Sequence, residues 1–428
     1  MRRFDAADPA FESDFAAFAT AARGSPAAVD AAVADVLEAV RLHGLEAVLD
    51  YSRRFDGFEL TAANIRVSEA EIDAGAAACP DEVRAALAFA AARIRAYHER
   101  LRPVDGAFVD SAGVELGWRW TPLDAVGIYV PGGRAAYPST VLMNAVPAAV
   151  AGVGRIAMVS PPGRLAPVVL AAAKEAGVTE IWRVGGAQAV AALAYGAGPI
   201  RPVDKIVGPG NAYVTAAKRR VYGTVGIDSL AGPSEIVVVA DGANDPAWIA
   251  ADLLSQAEHD PDAQSVLITD DAAFADAVEA EVARQLALLP TRETAAAAWR
   301  DHGAVIVAPL ERAPALVDAI APEHVEFAVA DPDALAARVR HAGAIFLGRY
   351  APEAVGDYVA GPNHVLPTSG AARFSSGLST LDFLKRTSVT KCDAAAFAAL
   401  AAAAEILADV EGLPAHARSL SIRHNAPS

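Results

Sequence analysis

From about Gly117 to Leu347 the chain alternates apolar runs of strand length with segments of helical period, punctuated by Gly and Pro. That alternation limits the fold more than any other feature. Strands are read at 125–130, 155–160, 181–184, 205–207 and 235–240, with helices at 166–176 and 187–195 among them. A second series has strands at 265–269, 304–308, 326–330 and 344–347, with helices at 246–258, 272–288, 313–320 and 333–341. Repeated strand–helix–strand units form open, mainly parallel sheets covered by helices. Two series predict two such sheets. In such folds ligands bind beyond the carboxyl ends of the strands.

Upstream, residues 27–43 and 81–102 have helical period, and Pro80 is placed to start the second helix. Residues 1–20 carry Phe4, Phe11, Phe15 and Phe18 among acidic side chains, a short arm whose aromatics need a core to enter. After Ala351 a turn-rich stretch, GDYVAGPNHVLPTSGAARFSSGLS, shows little periodicity. Unstructured segments of that length inside a compact protein are usually functional. The section from about Leu381 reads as an Ala-rich helix and a short tail.

At 428 residues, 54% hydrophobic and 21% charged, the chain is globular and long enough for two or more cores. A net charge of -16 repels phosphate backbones, which argues against nucleic acid as the main partner and is read as a solubility feature. Cys79 and Cys392 fit neither a CxxC nor a Cys/His metal spacing. The N-terminus lacks the apolar core of a signal peptide. The longest apolar run, 141–159, is interrupted by Asn144, Pro147, Gly152, Gly154 and Arg155, and the Ala-rich run 394–404 is too short to span a bilayer. The expectation is a cytoplasmic protein without a membrane partner.

Three loops that follow strands are rich in glycine: PGG (131–133), GGAQ (185–188) and GPGN (208–211). They would let backbone approach a phosphate, and they would serve equally as tight turns. No GxGxxG follows any strand, and GVG (152–154) lacks the third glycine, so spacing alone does not show a dinucleotide site.

Proton chemistry points to APEHVEF (321–327), where Glu323 and His324 are adjacent behind Pro322. Histidine exchanges a proton at little cost near neutral pH, and a neighbouring carboxylate can orient water or act as a second base. A Glu-His pair alone is ordinarily a solvated loop. Three more clusters of His and carboxylate accompany it: SQAEHD (255–260), GDYVAGPNH (356–364) and EGLPAH (411–416). Four clusters in a chain with nine His suggest one assembled site.

Gln256 and His259, three apart near a helix end, share one face. With Asp357 and His416 they offer two imidazoles, a carboxylate and an amide oxygen, a set suited to Zn²⁺ and also to Mn²⁺ or Co²⁺. Spacing alone would not single out Gln256.

Over nearly its whole length the chain resembles histidinol dehydrogenases. The matching stretches are GIYVPGG (127–133), GGAQAVAALAYG (185–196), KIVGPGNAYVTAAKR (205–219), AGPSEI (231–236), DLLSQAEHDP (252–261), PEHVEF (322–327), GPNHVLPTSGAARFSSGLS (361–379), LDFLKR (381–386) and EGLPAHA (411–417). The resemblance implies an α/β fold of two incomplete Rossmann-like domains, one inserted in the other, with small N- and C-terminal helical extensions. The implied boundaries are 1–20 for an N-terminal arm, 21–128 with 236–378 for the larger domain, 129–235 for the inserted one and 379–428 for a C-terminal domain reaching the partner subunit.

It further implies a homodimer with active sites shared between subunits, one Zn²⁺ per subunit, and NAD. The implied reaction is two-step oxidation of L-histidinol to L-histidine, the last step of histidine biosynthesis. Matched motif by motif, Gln256, His259, Asp357 and His416 stand at the zinc ligands, and Glu323 and His324 at the acid–base pair. Ser234, His364 and Glu411 stand at substrate contacts, shared with His324 and the zinc ligands. Tyr129, Gln188 and Asn211 stand at the NAD contacts, a dinucleotide site without the usual fingerprint. None of these positions departs from the family pattern; Pro414 stands where other residues are common.

Overall fold

The structure is a computed structural model that describes residues 1–21, 27–132, 136–163 and 165–425. Gly133, the last glycine of the first glycine-rich loop, lies outside them. Fourteen strands are present in chain order: β1 (Arg2–Asp5), β2 (Gly106–Val109), β3 (Glu115–Pro122), β4 (Ala125–Tyr129), β5 (Arg155–Ser160), β6 (Glu180–Arg183), β7 (Lys205–Val207), β8 (Gly226–Ile227), β9 (Glu235–Ala240), β10 (Gln264–Thr269), β11 (Ala304–Val307), β12 (His324–Ala328), β13 (Ala344–Leu347) and β14 (Leu384–Lys391).

They form two all-parallel sheets, ordered β6-β5-β4-β7-β8 and β1-β11-β10-β9-β12-β13, and one antiparallel sheet ordered β14-β3-β2. The expected mixed α/β class and the two parallel sheets are therefore present. Every residue of β4, β9 and β12 is buried; β4 and most of β9 accordingly read as continuous apolar runs, whereas β12 also buries His324 and Glu326.

The chain groups into two compact units. The first comprises Met1–Leu101 and Leu123–Phe383 and contains both parallel sheets. Its N-terminal arm is not a loose appendage. β1 pairs with β11 at the sheet edge, and Phe4, Phe11, Phe15 and Phe18 are buried, with Phe11 and Phe15 stacked at 5.7 Å. Burial of each such ring contributes roughly 1.5–3 kcal/mol. The second unit comprises Arg102–Pro122 and Leu384–Ser428. In it β14 pairs with β3 from Leu384↔Pro122 to Lys391↔Glu115, and helices Ala394–Val410 and Pro414–Ser421 follow. Among the described residues no helix is long and apolar enough to cross a membrane.

Several elements differ from the sequence reading. β14, LKRTSVTK, is mostly exposed on both faces and so has no apolar stripe to betray it. Helix Arg292–His302 went unread, while the helix expected over 333–341 stops at Ala336. There the amides of Arg340 and His341 both donate to Asp318 Oδ1, at 2.8 and 2.9 Å, and draw the chain out of the helix. β12 starts at His324, two residues earlier than read, because His324 is in register with Ile236 on one side and Ala344 on the other.

Candidate active site

The Glu323–His324 pair is delivered by a broken helix. Helix Ala313–Ile320 ends at Ala321, which adopts the left-handed conformation with φ 53° and ψ 59°. For a residue with a Cβ this costs roughly 1–2 kcal/mol, and Pro322 then prevents any return to helix. The next two residues turn directly into β12, so Glu323 and His324 are both buried, 7% and 3% exposed. A solvated loop is thereby excluded. Gly343 lets the neighbouring segment approach, since a Cβ there would stand 2.5 Å from the Glu323 carbonyl oxygen.

The pair lies against Glu235, the first residue of β9. His324 Nδ1 is 3.0 Å from the Glu235 carbonyl, an acceptor, so Nδ1 carries the proton and Nε2 keeps its lone pair. The Glu235 amide donates to Glu323 Oε2 at 3.1 Å, and Glu323 Oε2 is 3.6 Å from His324 Nδ1. Burial drives the His324 pKa down to about 3, with His364 and His259 opposing its charge, and so keeps the ring neutral. Burial likewise raises Glu323 well above the usual carboxylate range, helped by the negative charges of Glu235, Asp357 and Glu353.

This placement corrects one expectation. Glu323 and His324 stand at the amino ends of β9 and β12, not beyond their carboxyl ends. At the carboxyl ends Asp241 closes the crevice. Its carboxylate accepts from Arg349 at 2.9 Å and from the Ala330 amide at 3.0 Å.

Helix Glu353–Tyr358 supplies two more carboxylates one turn apart, Glu353 and Asp357. It is anchored by the Glu353 amide donating to Glu326 Oε1, and Ser255 Oγ donates to Glu353 Oε2 at 3.2 Å. One ligand atom from each of His324, Glu353 and Asp357 lies within 4.8 Å of the others. His364 Nδ1 is 3.1 Å from the Asp357 carbonyl. Burial raises Glu353 to about 8 and Asp357 to about 6 and lowers His364 to about 4; the Asp357 charge adds to the rise at Glu353, and His259 adds to the fall at His364.

His259, in the turn after helix Pro246–Ala257, thus lies within electrostatic reach of this cluster. Gln256 is 1% exposed and its Oε1 has no hydrogen-bond partner. His324 Nε2 and Glu353 Oε1 are likewise buried without one. The Gln256 and Glu353 oxygens, in a carboxylate-rich cluster, fit a divalent cation, since leaving them unmet would cost about 1–3 kcal/mol apiece, while the His324 Nε2 lone pair stays free to take a proton. A cavity of about 460 Å³, lined by His324, Phe346, Asp357, His364 and Leu366 among others, opens beside them, sized for a small substrate.

Of the residues singled out from sequence, His324, Glu323, Gln256, His259, Asp357 and His364 therefore converge. Ser234 precedes β9 and accepts at its carbonyl from the Gln264 amide at 2.9 Å. Glu411 and His416 are exposed residues of the second unit, His416 in helix Pro414–Ser421. Glu353 was missed, since nothing in the sequence around it marks one carboxylate among many; its burial does.

Tyr129, Gln188 and Asn211 gather at a different place, the carboxyl ends of β4, β6 and β7. Strand order reverses between β4 and β7, the switch point where dinucleotides bind open sheets. Tyr129 Oη accepts from the Gly186 amide at 3.0 Å, and Asn211 caps helix Ala212–Val221 through its side-chain oxygen. Gly208, at φ 108°, packs so closely that a Cβ would stand 2.3 Å from the Tyr129 carbonyl oxygen. Its amide donates to Asp228 at 2.7 Å and its carbonyl accepts from buried Lys218 at 2.9 Å.

A neutral buried imidazole beside a buried carboxyl of raised pKa, with metal donors and a switch-point crevice in the same unit, defines an α/β enzyme that moves protons on a small bound molecule. Comparison with known proteins narrows the class. The family model for histidinol dehydrogenase matches residues 20–424. The chain is 75% identical to histidinol dehydrogenase of Caulobacter vibrioides, covering 99% of each chain, and 61% identical to that of Rhodospirillum rubrum, covering 99% of this chain and 98% of the other. The crystal structure of histidinol dehydrogenase from Elizabethkingia anophelis superposes with a TM-score of 0.94 at 34% identity, covering 100% of this chain and 98% of that one. The chain belongs to the histidinol dehydrogenase family and is an NAD-dependent oxidoreductase.

Proposed function

We propose that the chain oxidises L-histidinol through bound L-histidinaldehyde to L-histidine with two NAD, the last step of histidine biosynthesis, in the cytoplasm. The observation that supports this best is the buried Glu323–His324 pair beside the unpartnered oxygens of Gln256 and Glu353. Gln256, His259 and Asp357, with a His416 lent by the other chain of the dimer, would hold one Zn²⁺ per subunit; Tyr129, Gln188 and Asn211 would contact NAD. When bound, the ion supplies a Lewis-acidic anchor for substrate nitrogens, and NAD supplies the hydride acceptor.

The chain's own groups move the protons. His324, with Nδ1 engaged by Glu235, takes the hydroxyl proton of the alcohol at Nε2. Glu323, whose raised pKa makes its anion a stronger base, takes a proton from the water that adds to the aldehyde. His324 then removes a hydrate proton for the second oxidation. Ser234, His364 and Glu411 would hold the substrate, and burial keeps the reactive aldehyde from escaping.

The test is NADH absorbance on adding histidinol beside a panel of other amino alcohols and a sulfonated diol. Histidinol should be preferred. Preference for another alcohol would reassign the substrate, and absence of NADH would favour a zinc hydrolase in which Glu323 activates metal-bound water.

We also read 129–235 as a domain inserted between 21–128 and 236–378, with residues 1–20 as an N-terminal arm. β5 to β8 fall within the insert and β10 to β13 after it, while β4 and β9 lie across its boundaries. Residues 379–428 would dock on the partner of a homodimer and lend it Glu411 and His416. If so, a chain with Glu323→Gln and a chain with His416→Ala, each unable alone to oxidise histidinaldehyde to histidine, should regain that step when refolded together. Random mixing makes about half the dimers mixed, so roughly a quarter of all sites should be intact. Mixed dimers that do not regain it would place His416 in its own chain's site.

A further inference from the structure

We propose that Glu235 is the positioning residue of the acid–base pair, fixing Glu323 through its carboxylate and His324 through its backbone. The inference rests on the reading of Glu323 as the base for water. Glu235 is 1% exposed, meets the pair at three points and holds Ser369 at a fourth. Its amide donates to Glu323 Oε2 at 3.1 Å, and its carbonyl faces His324 Nδ1 at 3.0 Å. Its own Oε2 accepts from the Glu323 amide at 3.2 Å, and its Oε1 accepts from the Ser369 amide at 3.0 Å.

The two segments so gripped are the strained ones. Among the described residues only Ala321 and Ser369 combine a side chain with positive φ, at 53° and 55°. One lies two residues before Glu323 and the other is the residue whose amide Glu235 Oε1 holds. Such conformations persist where surrounding contacts over-determine them. The second segment is also pressed close, since a Cβ on Gly232 would lie 2.2 Å from Ser369 Oγ. A carboxylate in this position repels Glu323, so its presence needs a reason. Two amides converge on it from different segments, and only a carboxylate offers each an acceptor oxygen. Glutamine would turn its NH₂ toward one of them.

Glu235→Gln should therefore loosen the main chain that carries Glu323, while the backbone amide and carbonyl that hold Glu323 Oε2 and His324 Nδ1 remain. Oxidation of the aldehyde should fall about 10–100-fold in kcat, the usual loss when the residue orienting a functional group is changed. Oxidation of the alcohol should fall less, and KM for histidinol should stay within about twofold. Glu235→Asp, which keeps the charge but cannot span both amides, should show the same selectivity.

The decisive measurement is a double-mutant cycle on the aldehyde step. If Glu235 acts through Glu323, adding Glu235→Gln to Glu323→Gln should cost less than about threefold more. Multiplying losses, or equal damage to both oxidations in the folded Gln and Asp variants, would make Glu235 a merely structural acid and overturn the positioning role. Equal loss of both oxidations in Glu323→Gln alone would instead overturn the reading of Glu323 itself.

Discussion

Chelation should abolish histidinol turnover, and added Zn²⁺ should restore it. Gln256 Oε1 and Glu353 Oε1 are buried without hydrogen-bond partners, and a carboxylate oxygen of Asp357 lies within 4.8 Å of Glu353. Without a cation nothing balances the carboxylates, and burial forces them to hold protons instead, Asp357 up to about 6 and Glu353 to about 8. His259→Ala should mimic the chelated enzyme, since truncation removes a donor outright.

The same shifts give a pH signature. A carboxyl whose folded pKa is raised contributes stability that is present below its unfolded pKa and lost as pH rises through the folded value. His324 and His364 are shifted down, to about 3 and about 4, so their effect runs the other way and is spent below about pH 6.5. From pH 7 to 9 only the carboxyls act. The metal-free protein should therefore lose thermal stability over that interval, and the midpoint gained on adding Zn²⁺ should grow with pH as the ion competes with fewer protons. Full turnover in the chelated protein, or a metal-induced gain that shrinks from pH 7 to 9, would remove the metal from this site.

Glu323→Gln should separate the two oxidations. Gln keeps the volume of the buried side chain and can still hold a water, but it cannot take the proton that water must lose. Oxidation of supplied histidinaldehyde should fall roughly 10²–10⁴-fold, the range of general base catalysis, while conversion of histidinol to the aldehyde stays largely intact. His324 is untouched by the change, because its Nδ1 answers to the Glu235 carbonyl at 3.0 Å. Following NADH with each substrate separately decides this, and equal losses on both would take Glu323 out of the water-activating role.

Much of this was readable in the sequence, for identifiable reasons. Strands buried on both faces, such as EIVVVA of β9, advertise themselves as apolar runs, and their helices show period and breaks. β14 is polar on both faces and exists because β3 pairs with it, which no local pattern reveals. Gly208 is legible as a turn glycine, yet its close approach to the Tyr129 carbonyl is visible only once β4 and β7 lie side by side.

Site residues followed the same division. Glu323 and His324 stood out because two proton-moving groups behind a proline are an uncommon sequence, and the motif matches extended to Gln256, His259 and Asp357. Glu353 and Glu235 did not stand out. Single carboxylates have no signature, and what sets these apart is burial, at 2% and 1% exposure, in a place where three strands and a short helix converge. The amino-end location of the pair was also hidden, since it depends on Asp241 and Arg349 closing the opposite end of the sheet.

One site that carries out two successive oxidations, with a water-addition step between them, fixes the stoichiometry of the reaction. The most direct test is the ratio of NADH formed to histidinol consumed, with histidine measured in the same reaction. Two NADH per histidinol, with histidine as the product and no aldehyde accumulating, is the predicted result. One NADH per histidinol with aldehyde released, or histidinol consumed with no NADH formed, would contradict it.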